Sequence, residues 1–253
     1  MMTLRPSLGG KRWRAAAWTA ACALTLGATL LSNVPAGGTQ RVTIRTDDGV
    51  MLAATWYEPE VRPGPAVILV HMLHKSKRDW DPVASRLADE GIGALAIDLR
   101  GHGDSGGNID TGALADYSTL VRDVVAARRY LTSRADVLQS RVGIAGASFG
   151  ANLAVLEAAA DTTVASLALL SPSLDYRGLR IEAALRKYGN RPALLVSSDD
   201  DPYATRSVQD LRKAGGGTRE ALLLSRAGHG TVMLARNQDL AGSLVDWFRR
   251  TLL

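Results

Sequence analysis

The chain is predicted to fold as an α/β domain built on a mostly parallel sheet with helices on both faces. Three observations carry this. Strand-like and helix-like segments alternate along most of the 253 residues. Several strand segments, such as Ala66–Val70, Val142–Ala145 and Val164–Leu170, are unbroken apolar runs, as expected when both sheet faces are covered. Finally, Gly146-Ala147-Ser148-Phe149-Gly150 joins an apolar strand directly to an Ala/Leu-rich helix, a junction that needs a sharp turn.

In order, alternation at Val42 and Ile44, the Asp47-Asp48-Gly49 turn and a second run from Met51 to Tyr57 read as a hairpin. A loop rich in proline and glycine leads to the buried strand Ala66–Val70. Asp81-Pro82 supplies an N-cap and first helical position, Val83 and Leu87 an apolar face, and Gly91 a stop. Strand Ile92–Ile97 follows, then the glycine-rich DLRGHGDSGG loop at 98–107 and a helix over about 114–134. Strand Val142–Ala145, its helix, strand Val164–Leu170 and a short helix near Ile181–Tyr188 come next. Strand Ala193–Val196, helix Arg206–Ala214, strand Arg219–Leu224 and helix Asp239–Leu252 close a pattern of eight strands and six helices.

The net charge of +5 is uninformative about partners, because it is concentrated at one end. The first 36 residues carry Arg5, Lys11, Arg12 and Arg14 with no acid, whereas from residue 37 onward 26 basic residues face 25 acidic ones. A nearly neutral body offers no electrostatic footprint for nucleic acid. The sole cysteine, Cys22, lies in the N-terminal stretch, so neither disulfides nor a cysteine-based metal site is available to the body. Residues 15–31 hold no charge, and Val34-Pro35-Ala36 forms a small-residue exit. This divides the chain into residues 1–36, a signal peptide or an uncleaved membrane anchor, and a single domain over 37–253. The expected location is therefore exported, periplasmic or secreted, or membrane-anchored through the N-terminus.

The Gly146–Gly150 turn resembles the nucleophile elbow of the α/β-hydrolase family, and the likeness extends over most of residues 40–253. It is strongest for the compact, lidless branch that includes dienelactone-hydrolase-like proteins, small esterases and S33-peptidase-like proteins. The resemblance implies a three-layer α/β/α sandwich with a mostly parallel eight-stranded sheet. Many relatives insert a lid before the strand at Ala193, but only about twenty residues separate it from Leu170, so no lid domain is expected.

A serine hydroxyl needs a base, and the base needs an orienting acid. The family order of serine, acid and histidine makes Ser148 the nucleophile and His229, in the AGHG loop, the base. Register with the family favours Asp201 as the acid, with Asp200 as the alternative because Ser198 replaces the usual glycine. The remaining aspartates of the 199–201 run are expected only to cap a turn. The resemblance places the oxyanion donors at Phe149 N–H and Leu73 N–H, with Met72, which replaces the family's glycine, as runner-up to Leu73. His71 is assigned to bridging the loop backbone, and His74 to the pocket wall or to solvent. Gly146 and Gly150 shape the elbow, while Arg100, His102 and Asp104 belong to the structure beside it. Asp98, His102 and Asp104 have metal-ligand chemistry, but they read as structural, so no metal and no cofactor is expected. No phosphate-binding glycine loop is present, and aromatics at 5% are too few for base-stacking surfaces. The implied partner is a small-molecule ester. The rivals are a peptidase or amidase of the same fold and a non-catalytic exported binding protein.

Export has a direct check. Mass spectrometry of the protein from its native host should find a chain that begins near Gly37, and an intact Met1 terminus in the soluble cytoplasm would contradict it.

Overall fold

The computed structural model describes residues 38–109 and 117–253. The expected signal or anchor over 1–36, Cys22 and the first part of the helix expected over 114–134 lie outside these residues. Ten strands are present among them: β1 (Thr39–Arg45), β2 (Met51–Tyr57), β3 (Gly64–Val70), β4 (Gly93–Ile97), β5 (Val137–Ala147), β6 (Val164–Leu170), β7 (Asp175–Tyr176), β8 (Leu179–Arg180), β9 (Ala193–Ser198) and β10 (Arg219–Leu224). The helices are α1 (Asp81–Asp89), α2 (Val121–Thr132), α3 (Phe149–Ala160), α4 (Glu182–Tyr188), α5 (Pro202–Leu211), α6 (Val232–Arg236) and α7 (Leu240–Leu252). Short 3₁₀ turns at Lys77–Trp80 and Tyr117–Leu120 lead into α1 and α2.

Eight strands form one sheet in the order β1-β2-β4-β3-β5-β6-β9-β10, and β7 pairs only with β8. β2 runs antiparallel to both neighbours, and every other pairing in the main sheet is parallel. Side chains alternate between two cores, as the two-residue period of a strand requires. Ala66, Ile68 and Val70 of β3 face α2, α3, α4 and α5, whereas Val67 and Leu69 face α1, α6 and α7. This is the three-layer α/β/α sandwich expected from the sequence. Between β6 and β9 the chain adds only the β7–β8 hairpin and α4, with no lid insertion. No described helix is long and apolar enough to cross a membrane.

The strand order places the functional loops. From β3 the chain steps to β4 on one side, then crosses back to β5 on the other. Successive loops therefore diverge between the carboxyl ends of β3 and β5, which opens a crevice there. The segment after β3 begins at His71, and β5 ends one residue before Ser148.

Local chemistry explains where elements depart from the sequence reading. α5 begins at Pro202 rather than Arg206, because Asp201 Oδ1 accepts the Ala204 N–H at 3.2 Å and proline suits the first helical turn. The β7–β8 hairpin and α6 were not expected; both are too short to show a period. The hairpin is pinned by Asn152 on α3. Its Nδ2 donates to Ser173 O at 2.9 Å and Leu179 O at 3.0 Å, and its Oδ1 accepts Ser173 N–H at 3.1 Å.

α3 is buried on nearly every side, which suits its Ala/Leu composition, yet it carries Glu157 at 5% exposure. Burial, with a smaller contribution from Asp161, pushes the Glu157 carboxyl up from 4.5 to about 7. The folded chain thus holds this proton over a pH range in which the unfolded chain has lost it. The stability from that protonation is complete below about 4.5 and is lost as pH rises through about 7. Glu157→Gln should flatten that part of the stability–pH curve and stabilise the protein at pH 8. Urea unfolding at pH 5 and pH 8 would show it, and an unchanged pH dependence would contradict the assignment.

Candidate active site

Ser148 stands between β5 and α3 with φ 51° and ψ −117°, a region that side-chain-bearing residues rarely occupy. Its N–H is held by Leu170 O at 2.7 Å, which ties the turn to the end of β6. The flanking glycines are required by space. A Cβ on Gly146 would come within 2.3 Å of Gly150 O, and one on Gly150 within 2.5 Å of the Val70 and His71 carbonyl oxygens. Phe149 and Gly150 open the first turn of α3, where backbone N–H groups have no partner within the helix and the dipole is positive.

His229 arrives from the loop between β10 and α6. Its Nε2 lies 2.6 Å from Ser148 Oγ, and its Nδ1 lies 2.6 Å from Asp201 Oδ2. A carboxylate only accepts, so Nδ1 carries the proton and Nε2 is left to accept from the serine hydroxyl. Asp201 therefore divides its two oxygens between the imidazole and the N-terminus of α5.

Asp200 is not beside the imidazole. Its Oδ1 accepts the Ser198 hydroxyl at 2.5 Å and the Gly228 N–H at 2.9 Å. Asp199 accepts the Arg226 N–H at 2.6 Å and the Ser225 hydroxyl at 3.0 Å. Both do more than cap their own turn, contrary to the sequence reading. They fasten the 225–228 segment that delivers His229. Ser198, the departure from the usual glycine, contributes to the same anchor because its Oγ accepts the Ala227 N–H at 2.8 Å. Beyond the histidine, Ser171 Oγ accepts the Gly230 N–H at 3.0 Å, and Thr231 hydrogen-bonds Asp79.

The segment after β3 forms another wall. His71 is fully buried, with Nδ1 donating to Met72 O at 2.7 Å and Nε2 accepting the Leu99 N–H at 3.0 Å. It therefore couples the loops that follow β3 and β4. Burial, partly offset by the Met72 bond, pushes its imidazole down to about 4, so it is neutral at pH 7. The Met72 thioether lies against Gly230, and a Cβ on Gly230 would be 2.6 Å from Met72 Sδ and 3.6 Å from Ser148 Cβ. Met72 thus fills space beside the serine that a glycine would leave open. Leu73 and the exposed His74 border an open cavity of about 570 Å³ that also takes in Lys75, His102 and Asn108, with no carboxylate among the described residues of its wall.

The 98–107 loop is held by two ionic anchors. Arg100 bonds Asp48 at 2.7 Å and the fully buried Asp123 at 2.7 Å, while its backbone N–H reaches Asp123 at 2.8 Å. Lys77 bridges Asp98 and Asp104. Burial acts to lower the Lys77 pKa, but the hydrogen bonds it donates to Asp104 and Asp98 outweigh it and hold the ammonium above its ordinary range. Asp98 and Asp104 are therefore committed to a lysine, and both ring nitrogens of His102 are engaged by backbone. Among the described residues no group of histidine, cysteine and acids is arranged to hold a metal ion. Lys77 and Asn152 escaped the sequence reading, since neither belongs to a motif and only the fold brings their partners near.

A family profile described as serine aminopeptidase, S33, matches residues 62–218. An uncharacterised abhydrolase domain-containing protein of Dictyostelium discoideum is 26% identical over 163 residues, 62% of this chain. The chain spans only 17% of the length of that relative. Among solved structures, dienelactone hydrolase from Anabaena variabilis is 22% identical with a TM-score of 0.73, covering 87% of this chain and 100% of that one. DcsB, solved with its substrate analogue, is 17% identical with a TM-score of 0.74, covering 85% and 99%. Est1E from Butyrivibrio proteoclasticus, solved with ferulic acid bound, is 19% identical with a TM-score of 0.70, covering 83% and 98%. The family match spans most of the chain and contains the elbow, and the fold is shared along nearly the whole length of these structures. The chain belongs to the serine aminopeptidase S33 family, within the α/β-hydrolase superfamily.

Proposed function

We propose that the protein is a serine hydrolase of small esters, acting through Ser148, His229 and Asp201 with an acyl-enzyme intermediate. The observation that carries this reading is the unbroken hydrogen-bonded line from Asp201 through His229 to Ser148, with both links at 2.6 Å. In this mechanism His229 Nε2 takes the hydroxyl proton as Ser148 Oγ attacks the ester carbonyl carbon. Asp201 stabilises the resulting imidazolium through its bond to Nδ1. The Phe149 and Leu73 N–H groups receive the developing oxyanion. The tetrahedral intermediate collapses as the imidazolium gives its proton to the departing alkoxide. Water then repeats the sequence on the acyl-enzyme, losing its proton to His229 and releasing the acid.

The family description favours an aminopeptidase as the second reading. An exopeptidase must hold a free ammonium, which calls for a carboxylate near the scissile bond. Among the described residues that line the cavity beside Leu73 there is none, and Lys75 stands there instead. Asp79 is engaged by Thr231, and Asp175 by Arg180 and Gly178. These commitments support an ester over a peptide substrate. A non-catalytic binding protein would have no use for a serine, imidazole and carboxylate in line.

The short connection from β6 to β9 supports small substrates, since a lid is what usually walls a long acyl chain. Each buried methylene adds about 0.8 kcal/mol, and without a cover that gain stops after a few carbons. kcat/KM across acetyl, butyryl, octanoyl and palmitoyl p-nitrophenyl esters should peak at about two to six carbons. A steady rise through palmitoyl would contradict the small-ester reading, and cleavage of aminoacyl anilides in preference to esters would favour the peptidase.

A further inference from the structure

One histidine pair of this fold has no part in the proton transfers, yet all four of its ring nitrogens are committed to backbone. His71 donates to Met72 O and accepts from Leu99 N–H, as described above. His102 Nδ1 donates to Arg100 O at 3.1 Å, and its Nε2 accepts the His74 N–H at 3.1 Å. The two rings lie 5.0 Å apart. Between these attachments runs Met72-Leu73-His74.

Peptide planarity turns the attachments into a direction. In a trans peptide the carbonyl and the following N–H point opposite ways. The His71 carbonyl faces the start of α3, where it would meet a Cβ on Gly150 at 2.5 Å. The Met72 N–H is therefore turned away from α3. The Met72 carbonyl is also drawn away from the serine, to His71 Nδ1 at 2.7 Å and Lys75 N–H at 3.3 Å, on the side where the His71 ring reaches Leu99, so the Leu73 N–H is the donor left free to face the serine. That N–H has no acceptor among the described residues.

Holding this turn requires His74 at φ 60°, a left-handed conformation that costs a residue with a side chain on the order of 1 kcal/mol or more. The bond that restrains it comes from His102. The imidazole is fixed in turn by Arg100, which Asp48 and Asp123 clamp.

We propose that His102 is a positioning residue for the oxyanion donor: by accepting the His74 N–H it holds the left-handed turn that aims the Leu73 N–H at the reacting carbonyl. This role rests on the serine hydrolase reading and extends it to a residue outside the triad, one that also borders the open cavity beside Leu73. It also selects Leu73 over Met72 as donor.

The test uses the purified full chain with p-nitrophenyl butyrate and a butyl trifluoromethyl ketone. Ser148 Oγ adds to the ketone carbon, its proton passes to His229 Nε2, and the carbonyl oxygen becomes a hemiketal oxyanion that needs the same two donors. His102→Ala should lower kcat about 10- to 100-fold while KM changes less than about 3-fold. The ketone inhibition constant should rise by the factor by which kcat/KM falls, because both report the tetrahedral state. His102→Gln offers an amide oxygen to the His74 N–H and should recover most of both losses. Unchanged turnover and ketone affinity in His102→Ala would overturn the role. Equal loss of turnover in the Ala and Gln variants with unchanged ketone affinity would also overturn it, as the mark of a general disturbance. If the unmodified protein fails to bind the ketone, the serine hydrolase reading itself falls and takes the positioning role with it.

Discussion

The structure depends on one strained residue. Ser148 must leave β5 and enter α3 without an intervening loop, and its backbone occupies φ 51° to do so. Such a conformation costs on the order of 1–3 kcal/mol and persists only where the surroundings over-determine it. Here they do. Leu170 O holds the Ser148 N–H, glycines at 146 and 150 admit the backbone of neighbouring segments, and α3 is packed into the core on nearly every side. The strain is localised at the residue whose side chain must project from the sheet edge, next to the first N–H groups of a helix.

Around that point the chain spends its polar side chains on fixing loops. Asp199, Asp200 and Ser198 tie the end of β9 to the segment that delivers His229. His71 ties the end of β3 to the end of β4, and Arg100 ties the loop after β4 to α2 and to the first hairpin. Lys77 fastens that loop again through Asp98 and Asp104. Each anchor joins segments that leave the same edge of the sheet. A site assembled from four loops needs such cross-links, because loops alone would not hold reacting groups to within a few tenths of an ångström.

Much of this was legible in the sequence. Eight strands showed as apolar runs or alternation, since a strand buried on both faces leaves little choice of residue type. Ser148 and His229 showed through their local patterns, Gly-x-Ser-x-Gly and a loop histidine before the closing helix. Three features did not show. Asp199 and Asp200 looked like turn caps because their partners, Gly228 and Arg226, are nearly thirty residues away in sequence and adjacent only through the pairing of β9 with β10. Lys77 and Asn152 carry no local signature, because an ion pair or amide bridge to another loop leaves no periodicity. The β7–β8 hairpin, only two residues per strand, is held more by Asn152 than by its own pattern.

The central claim is that the geometry at Ser148 activates its hydroxyl. Treatment of the purified chain with a fluorophosphonate probe, followed by peptide mass spectrometry, tests it most directly, because only an activated serine displaces the fluoride at a useful rate. The account predicts stoichiometric label on Ser148, and loss of nearly all labelling in His229→Ala. A folded chain that takes no label, or takes it elsewhere, would contradict the account.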